Sequence, residues 1–108
     1  MSELIFRTVS EGDVARLKAL LAAGADANAR TEHNWTALHS AVLEDNRELV
    51  ELLVSHGADA NIQDDKEGFT ALHCAAHGGN EELVAYLVAQ GADLEVRNHC
   101  GLTVLHFA

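Results

Sequence analysis

The feature that most constrains this chain is an internal period. Gly-Ala-Asp occurs at Gly24-Ala25-Asp26, Gly57-Ala58-Asp59 and Gly91-Ala92-Asp93, in steps of 33 and 34 residues. A second marker runs Thr36-Ala37-Leu38-His39, Thr70-Ala71-Leu72-His73 and Thr103-Val104-Leu105-His106, in steps of 34 and 33. Two separate markers on one period mean a stack of similar units, each leaning on its neighbours for a core.

Each unit reads as two helices and a turn. Thr36 and Thr70 suit helix N-caps, since a hydroxyl can accept a free backbone N–H of the first turn. Short Ala/Leu-rich helices follow, over 37–43 and 71–77, and Asp45-Asn46 and Gly78-Gly79 break them. The next helix carries Leu49, Val50, Leu52, Leu53 and Val54 in one unit and Leu83, Val84, Leu87 and Val88 in the next, at helical spacing. Glu48, Glu81 and Glu82 fall in its first turn, where the helix dipole favours acids. Gly57 and Gly91 fall just past its end, at the left-handed position. Polar stretches such as Ala29 to Asn34 read as extended segments around a tight turn. The step from Gly57 to Thr70 is one residue longer than its counterparts, and the loop Asp64-Asp65-Lys66-Glu67 is where an extra residue is tolerated.

A unit of about 33 residues built as turn, helix, helix around T-x-L-H resembles the ankyrin repeat. The resemblance covers essentially the whole chain. It implies an all-α ankyrin-repeat solenoid of about three and a half repeats with β-hairpin fingers. The expected divisions are N-terminal capping helices over 1–24, repeats over 25–57 and 58–91, and an incomplete repeat over 92–108. The family pattern has Pro after the Thr; here Ala37, Ala71 and Val104 stand there, a tolerable loss because Pro only assists the first helical turn. Residues 1–24 lack the T-A-L-H element, and Phe6 falls where the His would be. The chain stops at Ala108 inside the first helix of a further unit, so Leu87 and Val88 are expected to lack cover. A piece of a longer repeat protein is expected, with a dimer burying the bare end as the alternative.

Composition excludes several classes. The net charge is −10, and the seven basic residues are scattered singly. A nucleic-acid binder needs clustered Lys and Arg to displace counterions, so neither nucleic acid nor an anionic membrane is expected as a partner. The acidity fits solubility or a basic partner. No apolar run approaches the ~18 residues of a membrane span, and no leader peptide is visible. Two cysteines, Cys74 and Cys100, make no disulfide framework, which fits the cytosol or nucleus.

No motif points to catalysis, and no cofactor is expected. His39, His73 and His106 share the period, and the resemblance gives them a structural role in bonding to backbone and neighbouring repeats. His73 and His77 have metal-ligand spacing with Cys74 between them. On an ideal helix Cys74 points about 100° away from His73, so no native metal site is expected. The carboxylate pairs Asp64-Asp65 and Glu81-Glu82 read as solvated surface. Asn28 and Asn61 stand at spacings that resemble asparagines hydroxylated in some animal ankyrin proteins, but the third unit has Glu95 there.

The position just before each capping Thr holds Trp35, Phe69 and Leu102. The resemblance implies that this place varies within the family and faces the concave groove. Three large apolar residues in register suggest a hot-spot stripe; local packing of the hairpin against the helix is the alternative. Beside the row lie Leu43, Glu44 and His77 at the ends of the inner helices. The finger tips hold Glu32, His33, Asp64 and Asp65. The expected function is a protein-interaction module (adaptor, scaffold or inhibitor) that binds an apolar segment with basic flanks. The alternative is a structural spacer. A monomer, or a weak dimer through the C-terminal end, is the expected state.

Overall fold

The chemistry of the chain ends within each unit decides where its helices start and stop. The computed structural model describes residues 2–104, so Leu105 and His106 of the third T-x-L-H element lie outside the described residues. The described helices come in pairs: α1 (Ser2–Ser10) with α2 (Val14–Ala22), α3 (Ala37–Leu43) with α4 (Arg47–Ser55), and α5 (Ala71–His77) with α6 (Glu81–Ala89). Thr36 Oγ1 accepts the His39 N–H at 3.3 Å, and His39 Nδ1 accepts the Thr36 N–H at 3.1 Å. Thr70 and His73 repeat this at 3.3 and 3.2 Å. It is a reciprocal cap, with His in the place that Glu or Gln fills elsewhere.

The outer helices are capped by Asp13, Asn46 and Asn80, which accept the N–H groups of Arg16, Leu49 and Leu83. At the other end of α4, the Gly57 N–H reaches Val54 O at 3.0 Å and the Ala58 N–H reaches Leu53 O at 3.0 Å. Gly57 has φ +90°, as this closure requires.

Helices α1, α3 and α5 pack side by side as an inner row; α2 and α4 pack behind it, and α6 backs α5. The core between the rows is Leu, Val and Ala: Leu17, Leu38, Val42, Leu49, Leu53, Leu72 and Leu83 are all buried. Leu87, expected to lack cover, is 0% exposed. It lies one turn after Leu83, on the same side of α6, which packs on α5. Val88 turns the other way and stays 36% exposed.

The fingers are tighter than the hairpins expected from the sequence. Thr31 N–H bonds Trp35 O at 2.9 Å, Asp64 N–H bonds Phe69 O at 3.0 Å, and Asn98 N–H bonds Leu102 O at 2.9 Å. Among the described residues the only β-pairing is the isolated bridge Arg30–Thr36. The second finger encloses one residue more than the others, between Asp64 and Phe69, which locates the insertion where the repeat spacing puts it. Neighbouring fingers are tied by backbone bonds, from Asp65 N–H to His33 O and from His99 N–H to Glu67 O, both 2.8 Å. Behind them, Asn28 Oδ1 accepts the Asp59 N–H at 2.6 Å and Asn61 Oδ1 accepts the Asp93 N–H at 2.7 Å. Stacking is therefore held by polar ties as well as by the core.

Candidate functional site: the inner-helix face and its fingers

Trp35, Phe69 and Leu102 all sit half-buried at the finger bases. The Trp35 ring stacks on His39 with centroids 4.6 Å apart, and its Nε1–H donates to Ser40 Oγ at 2.7 Å. Phe69 stacks on His73 at 5.6 Å and tilts against His77 at 6.0 Å. Local packing is thus part of what these rings do: each lies on the capping His of its own helix. It does not consume them, since both keep part of their surface in solvent.

The rings fix what else shares this face. Leu43 follows Ser40 by three positions and His39 by four, so it extends the surface that Trp35 covers. It is 59% exposed, the most exposed large apolar side chain among the described residues. His77 holds the matching place on α5 and meets Phe69. Glu44 follows Leu43 and is exposed. At the fingers Glu32, His33 and Asp65 are exposed, and Asp65 Oδ1 accepts from Asn34 Nδ2 at 3.0 Å.

Asp64 departs from its sequence assignment. Expected as solvated surface at a finger tip, it is 5% exposed, and its Oδ1 accepts the Phe69 N–H at 2.8 Å. The reason is register. Thr31, Asp64 and Asn98 each lie seven residues after the Gly of Gly-Ala-Asp. Each uses its side-chain oxygen to hold the N–H groups of its own finger: Thr31 takes that of Trp35, and Asn98 those of Cys100 and Leu102. Sequence reasoning could have found this by counting from the glycine instead of grouping Asp64 with Asp65. Asp64 shapes the site and offers no rim charge. Asp64→Asn is therefore expected to be tolerated, because Asn98 does the same work. Asp64→Ala should lose about 1–2 kcal/mol, the cost of a buried N–H left unpaired. Urea unfolding of the two variants checks this, and equal losses would refute it.

The buried histidines are bound on both sides. His39 Nδ1 accepts from Thr36, so the proton sits on Nε2, which donates to Phe69 O at 2.8 Å. Burial holds its pKa below the ordinary 6.5, against smaller opposing effects of the Phe69 carbonyl and the Asp64 charge. His73 makes the matching bonds to Thr70 and to Leu102 O. Burial, helped by the Asp64 and Glu67 charges, pushes the Cys74 thiol up to about 12, so it stays protonated and inert. Among the described residues no three His, Cys, Asp or Glu side chains gather closely enough to hold a metal ion. None of the described helices is long and apolar enough to cross a membrane.

A separate open depression of about 390 Å³ lies across the outer helices, lined by Val14, Lys18, Leu52, Ser55 and Tyr86 among others. Its mixed charges and shallow form give no convergent polar set.

Comparison with known proteins adds the family. A family model described as ankyrin repeats (3 copies) matches residues 5–98. The 2-5A-dependent ribonuclease of Mus musculus is 48% identical over 56 residues, which is 51% of this chain and 8% of that protein. The mitochondrial disaggregase of Bos taurus is 43% identical over 53 residues, 49% of this chain and 8% of that protein. The putative ankyrin repeat protein FPV034 of Fowlpox virus (strain NVSL) is 38% identical over 63 residues, 58% of this chain and 14% of that protein. The shared stretches thus span about half of this chain and only a small part of each relative. What is common is a repeat module inside otherwise different proteins.

Proposed function

This chain belongs to the ankyrin-repeat family, and from that premise we propose that it is a non-catalytic module that holds a segment of a partner protein against its concave inner-helix and finger face. Ankyrin repeats are generally protein-interaction modules. The observation that carries the reading for this chain is Leu43, left 59% exposed beside Trp35 on a face where Phe69 and Leu102 recur at the unit spacing. Solvated apolar surface in register over successive units is what a partner's apolar side chain can cover. The chemistry of the buried groups supports the absence of catalysis: His39 and His73 spend both ring nitrogens on the scaffold. Two free cysteines, one of them exposed, fit a reducing compartment such as the cytosol or nucleus.

The test is a peptide-display selection against the folded chain. Binding of the selected peptides is then measured on Leu43→Asp and on Ser55→Asp, a control in the outer-helix depression. Leu43→Asp should weaken binding about tenfold or more, the scale expected for losing most of a buried Leu and desolvating a carboxylate. Ser55→Asp should leave it unchanged. Equal effects from the two, or none from Leu43→Asp, would remove the concave face from the proposal.

A further inference from the structure

We infer that the outward end of the first unit is a second binding site, separate from the concave face. It takes an extended segment of another protein that presents an Asn carboxamide between small apolar residues. The site is read from what fills the same place in the later units. In the second unit the Asn28 carboxamide bridges two backbone groups of the Gly-Ala-Asp turn. Its Nδ2 donates to Gly57 O at 2.9 Å, and its Oδ1 accepts the Asp59 N–H at 2.6 Å. In the third unit Asn61 Oδ1 accepts the Asp93 N–H at 2.7 Å. The neighbours of these asparagines are small or aliphatic and turned in: Ala27, Ala29 and Ile62 are buried.

The first unit builds the same turn and leaves it open. In all three turns the Ala N–H closes back on the helix, from Ala25 to Leu20 O, Ala58 to Leu53 O and Ala92 to Leu87 O, each at 3.0 Å. In all three the Asp carboxylate takes the N–H two residues on, at 2.8 Å. The Gly24 carbonyl and the Asp26 N–H are therefore held in the arrangement that receives a carboxamide in the second unit. Neither has a hydrogen-bond partner among the described residues. Beside them lies a cavity of about 180 Å³ walled by Leu4, Ile5, Leu20, Ala25 and Ala29. Leu20 is half-buried, whereas Leu53 and Leu87, at the same place in the later units, are 0% exposed. A donor, an acceptor and an apolar wall already in place lower the cost of binding.

The same register says what the occupant is not. On the helices Leu49 and Leu83 are buried, but Arg16 stands exposed at that place in the first unit. A further helix pair would have to bury that charge, which is costly. An extended segment needs only the turn and the cavity. A second copy fits no better, because its third unit has Glu95 where Asn28 and Asn61 stand. A carboxylate cannot donate to Gly24 O, and it would meet the Asp26 carboxylate.

The test is a peptide titration followed in amide NMR spectra of the chain. The probes are the capped peptide Ala-Ala-Asn-Ile-Ala and its analogue with Asp in place of Asn. The Asn peptide should give saturable shifts centred on the Asp26 amide and on Leu20. The Asp analogue should bind at least tenfold more weakly, since a site built around a donor and an acceptor rejects a ligand that cannot serve both. Leu4→Asp should abolish the shifts. It puts an acid in the first turn of α1, where the helix dipole favours one, and its folding is checked by circular dichroism. No shift at Asp26, or equal shifts from the two peptides, would overturn the site whatever the variant does. Asp26 shifts that follow the concentration of the chain without peptide would overturn the separate partner in favour of a second copy. Shifts centred on the Trp35 indole instead would overturn this site and leave the concave face standing, while failure of the display selection on Leu43→Asp would leave this site untouched.

Discussion

Replacing Gly68 by Ala is expected to cost about 3 kcal/mol of folding stability, while the same change at Gly79 costs about 1 kcal/mol. The two glycines have nearly the same backbone, with φ of +73° and +74°. Any L-residue there bears the left-handed strain. The surroundings differ. A Cβ on Gly68 would come within 2.5 Å of His99 Cδ2 and 2.9 Å of the His99 backbone N; at Gly79 nothing lies within 4 Å. The His99 backbone cannot easily retreat, because its N–H is bonded to Glu67 O at 2.8 Å and so pins the third finger to the second. Gly68→Ala must therefore push two fingers apart or break that bond, while Gly79→Ala changes only one turn. Paired urea unfolding curves measure the difference. Equal losses at the two sites would mean that the fingers are too loosely held for the close approach to matter.

This contrast marks what a single sequence discloses. The period, the caps and the stops are local, and the inner helices fall at 37–43 and 71–77, as the Thr caps and the Asp and Gly breaks indicate. Thr–His reciprocity needs residues only three apart, so it too is legible. Contacts between units are another matter. Asn28 reaches Gly57 and Asp59, and Gln63 reaches Arg97, about one repeat away in each case. Nothing in the local pattern separates these side chains from solvated polar residues. Asp64 was hidden for the same reason: two adjacent aspartates look alike until the finger turns one inward. Leu87 was misjudged because repeat logic counts which unit follows and not which helix of its own unit covers a residue.

The candidate site was legible as a row and not as a surface. Counting from Thr36, Thr70 and Thr103 locates Trp35, Phe69 and Leu102. It cannot say that the rings of Trp35 and Phe69 lie on the capping His of their own helices. In the proposed binding mode that arrangement would join recognition to stability: a partner that touched Trp35 would touch the side chain stacked on His39. It also argues for Leu43, which is 59% exposed, as the position for testing binding without unfolding the unit.

His39 carries the second large expectation. His39→Ala should lower stability by about 3 kcal/mol, because it strands the Thr36 N–H and the Phe69 carbonyl and leaves a void beneath Trp35. His39→Gln keeps a donor and an acceptor and should lose less. The two also differ from wild type in acid. With its folded pKa held below 6.5 by burial, His39 takes up its proton more readily in the unfolded chain. Its contribution is then complete above about pH 6.5 and drains away as the pH falls from there through the folded pKa. The cause is burial, which penalises the charged ring; a proton on Nδ1 would also face the Thr36 N–H, donor against donor. Wild type should accordingly lose stability faster than His39→Gln as the pH is lowered below 6.5, although the two share every other titrating group. Urea midpoints measured from pH 7.5 down to pH 5 would reveal the converging curves. Parallel curves would mean that the imidazole accepts its second proton in place, and that the Thr36–His39–Phe69 chain of bonds is not what ties the second unit to the third.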